Sequence, residues 1–368
     1  MQKKGESIVP IPALKQYKLE EVMITCLKCK KNSAASAFAL CAHCLREYDD
    51  EKKIISLHAP VRKKFGLPAE PPRSPDGAVC SLCANNCSMN PGESGYCGIR
   101  TNRNGQLITK APKGSAFAHM YIDTLPTNCC AAWFCEGSKE RGYNLAVFMY
   151  GCNFDCLFCQ NASHKCIADA PTITEDELVQ KALHPHVRCI CFFGGSPEPQ
   201  LPFAIHTAER VFKESRGLKH ICWEWNGSGN EELVKRASEL SAESGGTVKF
   251  DLKAFHPHIS YALCGVNNKK AFENFQLVAE LFPGKDVLTA TTLLVPYYVD
   301  KEEVRGIVEL ISEINYGIPY SLLVFHPDFY LDDLPVTPKK QVDECYEIAR
   351  HYLITVNIGN RELLPGIS

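Results

Sequence analysis

From about residue 144 onward, strand and helix signals alternate in series, and this alternation restricts the chain more than any other feature. Short apolar runs at 145–149, 187–193, 221–225, 248–252, 287–295 and 321–325 read as strands buried on both faces. Helical signals fall between them. Thr174, Glu175, Asp176 and Glu177 form a capping box opening a helix toward Leu183. Further helices are expected near 203–215, 231–240 and 270–281. Val304, Ile307, Val308, Ile311 and Ile314 share one helical face. Thr337 followed by Pro338 reads as an N-cap with proline at the first position of a final helix. Six βα units in series imply a parallel sheet with helices outside it, and right-handed crossovers curl such a sheet into an α/β, partial (β/α)6 barrel. Sites in such barrels lie at the C-terminal strand ends. Cys152, Gly194, Asn226, Lys253 and His326 all fall there.

Cysteine usage is the second constraint. The 368 residues include 20 cysteines, with 45% apolar and 22% charged residues and a net charge of −2. No apolar run approaches the roughly 20 residues a membrane span needs. The first six residues show no leader signal, so a cytoplasmic protein with reduced thiols is expected and a disulfide framework is not. Cys189, Cys191, Cys222, Cys264 and Cys345 sit singly or alternate within apolar segments and read as small core hydrophobes. The others cluster at ligand-like spacings. The chain therefore divides into a zinc-ribbon-like segment (1–66), a Pro-rich linker (67–77), a cysteine-rich segment (78–140) and the barrel (141–368).

After the first strand comes Gly151-Cys152-Asn153-Phe154-Asp155-Cys156-Leu157-Phe158-Cys159-Gln160, a Cys-x3-Cys-x2-Cys loop. Four thiolates close every iron of a cubane cluster, whereas three leave one iron open for a ligand. A zinc site and chance cysteines are the alternatives. The loop, its position after the first strand and the aromatic Phe158 between the last two cysteines resemble the signature of the radical S-adenosylmethionine (radical SAM) superfamily. The resemblance implies a 4Fe–4S cluster on Cys152, Cys156 and Cys159 whose open iron chelates S-adenosylmethionine. It also implies reductive cleavage to a 5′-deoxyadenosyl radical, which abstracts hydrogen from a substrate carbon.

Gly194-Gly195-Ser196-Pro197 is similar to the family's Gly-Gly-Glu-Pro segment that holds the methionyl group, with Ser196 at the third position. Over roughly residues 145 to 330 the chain more closely resembles activating enzymes of glycyl radical enzymes, such as pyruvate formate-lyase activating enzyme. Glu224-Trp225-Asn226-Gly227, Asp251-Leu252-Lys253, Gly265-Val266-Asn267-Asn268, Val295-Pro296 with Asp300, and His326 carry that resemblance. It implies that Asp251, Lys253 and His326 contact S-adenosylmethionine or organise groups around it, and that Glu224 and Asn226 lie near its ribose. The purely structural alternatives are a buried Asp251–Lys253 pair and a strand-capping His326. Two departures stand out: Thr291 replaces an arginine beside the cofactor, and Trp225 replaces a small threonine.

Two accessory groups precede the barrel. Cys26, Cys29, Cys41 and Cys44 have the Cys-x2-Cys-x11-Cys-x2-Cys spacing of a zinc ribbon, for which zinc is expected, with a rubredoxin-like iron or an iron–sulfur cluster as rivals. Cys80, Cys83, Cys87 and Cys97 suit zinc or an auxiliary cluster equally. Cys129, Cys130 and Cys135 are less regular and read alike as a metal ligand, a reactive thiol or a wall of the active site.

The resulting expectation is an enzyme acting on a protein or peptide, supplied with electrons by flavodoxin or ferredoxin. Modification of RNA or a small molecule is one alternative, with the lysines beside the ribbon gripping nucleic acid. A non-catalytic zinc or redox-sensing protein on the same scaffold is another.

Overall fold

Strand and helix alternate as expected, and the strands join in one sheet. The computed structural model describes residues 23–126, 129, 131–284 and 286–364. Cys130 and the first six residues lie outside this set. Among the described residues a nine-stranded sheet comprises β1 (Ser115–Thr124), β2 (Tyr143–Met149), β3 (Thr172–Thr174), β4 (Val187–Gly194), β5 (His220–Trp225), β6 (Val248–Asp251), β7 (Leu288–Leu294), β8 (Tyr320–Val324) and β9 (Val356–Gly359). Their spatial order is β9-β8-β7-β6-β5-β4-β2-β1-β3. Strands β2 and β4 to β9 are parallel, whereas β1 runs antiparallel to both β2 and β3. The six expected strands are present with ends shifted by a residue or two. The three additional strands extend the edges, where a short or half-exposed strand lacks a continuous apolar run.

The helices are α1 (Ala42–Arg46), α2 (Glu51–Ser56), α3 (Ala59–Lys64), α4 (Glu175–Ala182), α5 (Leu201–Glu214), α6 (Glu231–Ser244), α7 (Pro257–Cys264), α8 (Lys269–Leu281), α9 (Lys301–Asn315) and α10 (Lys339–Tyr352). The capping box at α4 is complete: Thr174 Oγ1 accepts from the Glu177 N–H, and Glu177 Oε2 accepts from the Thr174 N–H. On α9 the expected face is buried through Val304, Ile307, Val308 and Ile311. The expected cap of α10 is corrected. Pro338 occupies the N-cap, and the Thr337 hydroxyl instead donates to Leu294 O at 2.7 Å and accepts from Phe325 N at 2.8 Å. Thr337 thus joins β7 to the end of β8, a tertiary role that local sequence does not encode.

Strand parity decides what each face carries. Phe192, Trp223 and Trp225 stack along the helix-facing side, with ring centroids 4.6 and 5.8 Å apart, and the Trp223 indole donates to Ala237 O in α6. Trp225 shares this side, so its bulk packs among helices and leaves the opposite face free. That inner face carries Cys222 and Glu224 from β5 and Lys249 and Asp251 from β6.

The N-terminal segment is docked on the barrel. Ala35 N donates to the Tyr298 hydroxyl at 2.8 Å, which donates to Leu40 O at 2.9 Å. Arg46 reaches three acids at the start of α9: Asp300 at 2.7 Å, Glu302 at 2.8 Å and Glu303 at 3.0 Å. Glu303 is buried and also accepts from the Phe255 and His256 N–H groups. The Pro-rich stretch is tied down as well: Pro68 O accepts from Arg62 Nε at 2.6 Å and Pro72 O from Ser88 N at 2.9 Å. Removing one partner of a largely buried ion pair leaves the other charge uncompensated. Arg46→Ala should therefore destabilise the chain by about 2 kcal/mol in urea unfolding, against about 0.5 kcal/mol or less for an exposed charge such as Lys340→Ala.

Candidate active site

The Cys152–Cys159 loop leaves β2 through Gly151, which has φ +78°. A Cβ there would meet Ile99 Cγ1 at 2.5 Å and Cys97 O at 3.1 Å, so side chains are excluded by conformation and by space. The Gly194-Gly195 turn presses on the same loop. A Cβ on Gly195 would lie 2.3 Å from Gly151 O and 2.6 Å from the His164 ring. Backbone bonds fasten the contact: Gly195 N donates to Met149 O at 2.9 Å and Ser196 N to Gly151 O at 3.1 Å. From the far side, the C-terminal end of α7 accepts from the loop. Asp155 N donates to Cys264 O at 2.8 Å and Leu157 N to Leu263 O at 2.9 Å.

Asp155 lies at the centre of this loop with no exposed surface. Its carboxylate meets His58 Nδ1 at 3.0 Å, Arg62 Nη1 at 3.1 Å and Lys165 Nζ at 2.5 Å. Burial alone would raise its pKa, but the His58 hydrogen bond and the charges of Lys165 and Arg62 outweigh that and hold it well below the usual carboxylate range. Arg62 also stacks on the Tyr96 ring, 3.3 Å from its centroid, and donates to Tyr96 O. Sequence reasoning missed His58, Arg62 and Lys165, because their only signal is tertiary.

Asn226, at the end of β5, bridges the two loops. Its amide donates to Asn153 Oδ1 at 2.7 Å and to Ser196 Oγ at 2.9 Å, and approaches Cys152 Sγ at 3.9 Å. On β6, Lys253 Nζ pairs with Asp251 at 2.9 Å, while Lys249 lies 3.1 Å from Glu224 and 3.5 Å from Asp251. Thr291 donates to the second Asp251 oxygen. The result is a ladder, Glu224–Lys249–Asp251–Lys253, in which Lys249 was not foreseen although its spacing from Asp251 puts both on one strand face. Burial works against the Asp251 charge, but Lys249 and Lys253 prevail and keep the carboxyl low. Burial likewise opposes the charge of Lys253, which Asp251 nonetheless stabilises.

Cys152, Cys156, Cys159, Phe158, Gly194, Gly195, Ser196, Glu224, Asn226, Asp251 and Lys253 all open on one cavity of about 430 Å³ at the C-terminal strand ends. Pro197 and His326 lie off its wall. Pro197 O accepts from Gln200 N at 2.8 Å, and His326 Nε2 sits 3.0 Å from Gln160 Nε2, just past Cys159. The Cys26 and Cys80 groups lie elsewhere, in the segments before the barrel.

The sulfurs suit a cationic metal cluster. Burial pushes the Cys152 thiol well up and Cys159 to about 11, the cost of ionising in a dry site with no metal. Cys156 is held low, first by its hydrogen bond with Cys264 and also by Lys253 and Lys165. Thiolates on iron would remove the cost for the first two, and the neighbouring lysines would offset the negative charge of the assembly.

Residues 146–311 match the sequence model of the Radical SAM superfamily. The chain is 26% identical over 303 residues to an uncharacterised protein of Methanocaldococcus jannaschii, covering 78% of this chain and 81% of that one. It is 22% identical over 218 residues to a putative glycyl-radical enzyme activating enzyme of the same organism, covering 58% and 87%. A domain of pyruvate-formate lyase-activating enzyme from Bacteroides vulgatus superposes with TM-score 0.38 and 19% identity, over 46% of this chain and 98% of that domain. The matched region runs from β2 into α9, and over it the chain is similar to the radical SAM superfamily. Members of that superfamily are enzymes, and the match implies a 4Fe–4S cluster and S-adenosylmethionine as cofactors.

Glu198 supplies a measurable property of the site. It is fully buried beside the Gly-Gly turn; Oε1 accepts from Gly227 N at 2.8 Å, and Oε2 has no partner. Burial raises its pKa from 4.5 to about 7. A carboxyl raised in the folded state favours the fold below its unfolded value, and that contribution is lost as pH rises through the folded value. Relative to Glu198→Gln, the parent should lose about 3 kcal/mol of stability between pH 4.5 and pH 8. Chemical unfolding of both proteins at those two pH values checks this.

Proposed function

We propose that the chain cleaves S-adenosylmethionine reductively and directs the product radical at a protein or peptide, in the manner of a glycyl radical activating enzyme. The observation that carries this reading is the convergence of Cys152, Cys156 and Cys159 with the Glu224–Lys253 ladder on one cavity. Cys152, Cys156 and Cys159 would hold the cluster, with Phe158 packed among them. When bound, that cluster supplies one electron to the sulfonium, releasing methionine and a 5′-deoxyadenosyl radical.

The protein's own residues bind and orient. Ser196 and the Gly194-Gly195 backbone, followed by Pro197, present polar backbone groups to the methionyl end. Glu224 and Asn226 offer hydrogen-bonding groups to the ribose hydroxyls. Asp251 and Lys253 form a fixed pair of opposite charges, pre-organised to meet the amino and carboxylate groups of an amino acid without rearrangement. His326, close to Gln160, would take a place at the outer edge of the cofactor. The partner reading rests on likeness: a putative glycyl-radical enzyme activating enzyme is among the relatives. A flavodoxin or ferredoxin would deliver the electron.

The two accessory groups have different roles in this reading. The sulfurs of Cys26, Cys29, Cys41 and Cys44 all lie within 4.8 Å of one another, and the Cys29–Cys41 distance is 3.9 Å. Tetrahedral zinc with bonds of about 2.3 Å places its thiolates about 3.8 Å apart, a spacing that supports a structural zinc ion and equally fits the rubredoxin-like iron. Among the described residues no three of Cys80, Cys83, Cys87 and Cys97 approach that closely. Burial and their mutual repulsion nonetheless raise Cys83 and Cys87, which marks them as neighbours. An auxiliary cluster is the better occupant, because thiolates bound to different irons stand farther apart than those on one ion.

The test is anaerobic reconstitution with iron and sulfide, reduction with dithionite, addition of S-adenosylmethionine and quantification of 5′-deoxyadenosine. The parent should release it, whereas the triple variant Cys152→Ala, Cys156→Ala, Cys159→Ala, which lacks every ligand of the cluster, should release none above background. Zinc should remain in both. A fully iron-loaded parent that yields none, even with cell extract supplying a macromolecular substrate, would overturn the proposal.

A further inference from the structure

Below the Glu224–Lys249 layer, the same cavity is lined with sulfur. Strands β4 and β5 are paired with Cys191 directly opposite Cys222, and Cys189 sits one layer lower opposite His220. All three strand cysteines are buried, as read from sequence, and unlike their apolar neighbours they also border the cavity that Cys152, Cys156 and Cys159 enter. Parity explains the difference: Ile190, Phe192 and Trp223 carry the packing toward the helices, and the cysteines take the opposite face. The segment between β1 and β2 adds Cys129 and Cys135 to the same wall. It is seated by Gly137, where a Cβ would be 3.3 Å from the His220 ring and 3.5 Å from Cys135 Sγ. None of these five cysteines is in a disulfide.

The thiols are neighbours, but not close enough for one ion. Cys135 acts electrostatically on both Cys189 and Cys222, and Cys129 acts on Cys191. No three of the five sulfurs, all of them described, lie within 4.8 Å of one another, in contrast to the ribbon. The Cys152, Cys156 and Cys159 set shows the same wide spacing. A mononuclear zinc or copper site is therefore a poor match. A polynuclear group, which spreads its ligands over several metals, matches better. Five cysteines border this cavity, three of them buried, and together they offer the sulfur ligands such a group takes.

We propose that Cys129, Cys135, Cys191 and Cys222, with Cys189 in reserve, hold an iron–sulfur cluster in the lower barrel, separate from the sites on Cys152–Cys159 and Cys80–Cys97. This site does not depend on which substrate the enzyme modifies. Its place in the same cavity puts a second redox centre in line with the S-adenosylmethionine pocket.

The test begins with a background lacking the other two iron sites: Cys152→Ala, Cys156→Ala, Cys159→Ala, Cys80→Ala and Cys83→Ala. After anaerobic reconstitution, this chain should retain at least ~2 irons and an equal amount of sulfide, the minimum for a binuclear cluster, and should show a paramagnetic signal on reduction. Adding Cys191→Ser and Cys222→Ser should abolish both, whereas adding Cys345→Ser, which lies in α10 outside the barrel, should change neither. Ribbon zinc and circular dichroism report that each variant is folded. As a guard against collapse of the background, Cys191→Ser with Cys222→Ser in the otherwise unaltered chain should remove at least ~2 irons while zinc stays bound. Iron that is unchanged by the serine pair in a folded chain would overturn the proposal, as would a folded background that takes up no iron.

Discussion

The buried carboxylate of Asp155 sits where four separate parts of the chain meet, and the position of the cluster loop depends on how that charge is satisfied. His58 and Arg62 come from the helices after the ribbon, Lys165 from the turn after the loop, and the Tyr96 carbonyl and ring hold Arg62 in place. An unpaired carboxylate at such depth would cost several kcal/mol. With its partners it fixes the loop between Cys152 and Cys156 from within, while Gly151 and Gly195 fix it from outside. The N-terminal segments are therefore part of the candidate site's foundation, although neither the Cys26–Cys44 group nor the Cys80–Cys97 group borders the cavity.

The inner face of the sheet divides by height. At the top, three thiols face backbone groups and a ladder of alternating charge, suited to a zwitterionic amino-acid moiety. Below lies a wall of thiols with few charges. The same strands supply both zones through alternate residues, so β5 carries Cys222, Glu224 and then Asn226 along one edge of the cavity. Placing a polar, charged layer directly over a soft, sulfur-lined one is economical in sequence, because neither layer disturbs the apolar packing on the helix side.

The sequence made the barrel and its upper site largely legible. Apolar runs with period-specific interruptions revealed six strands, and the Cys152 loop, the Gly194-Gly195 turn, Glu224, Asn226, Asp251 and Lys253 all border one cavity. What escaped sequence reading depends on contacts between distant elements. Edge strands carry weak apolar patterns, Thr337 serves β7 and β8 instead of its helix, and His58, Arg62 and Lys165 gain meaning only when folded onto Asp155. Cys189, Cys191 and Cys222 alternate with large apolar residues, and alternation alone does not say which face looks into a cavity. Trp225, an apparent obstacle in the sequence, proves harmless because it lies on the helix side.

The dependence of the loop on Asp155 is the central claim, and it can be measured without metal or cofactor. Hydrogen exchange of the metal-free chain should show the Asp155 and Leu157 amides, which donate to Cys264 and Leu263, protected to nearly the level of the sheet. Asp155→Asn leaves two buried cations facing a neutral amide. It should accelerate exchange at both positions and lower the unfolding free energy by about 3–5 kcal/mol, the range for breaking a buried ion pair. Unchanged protection at those two amides, with stability within about 0.5 kcal/mol of the parent, would show that the loop is held by other means and contradict the account.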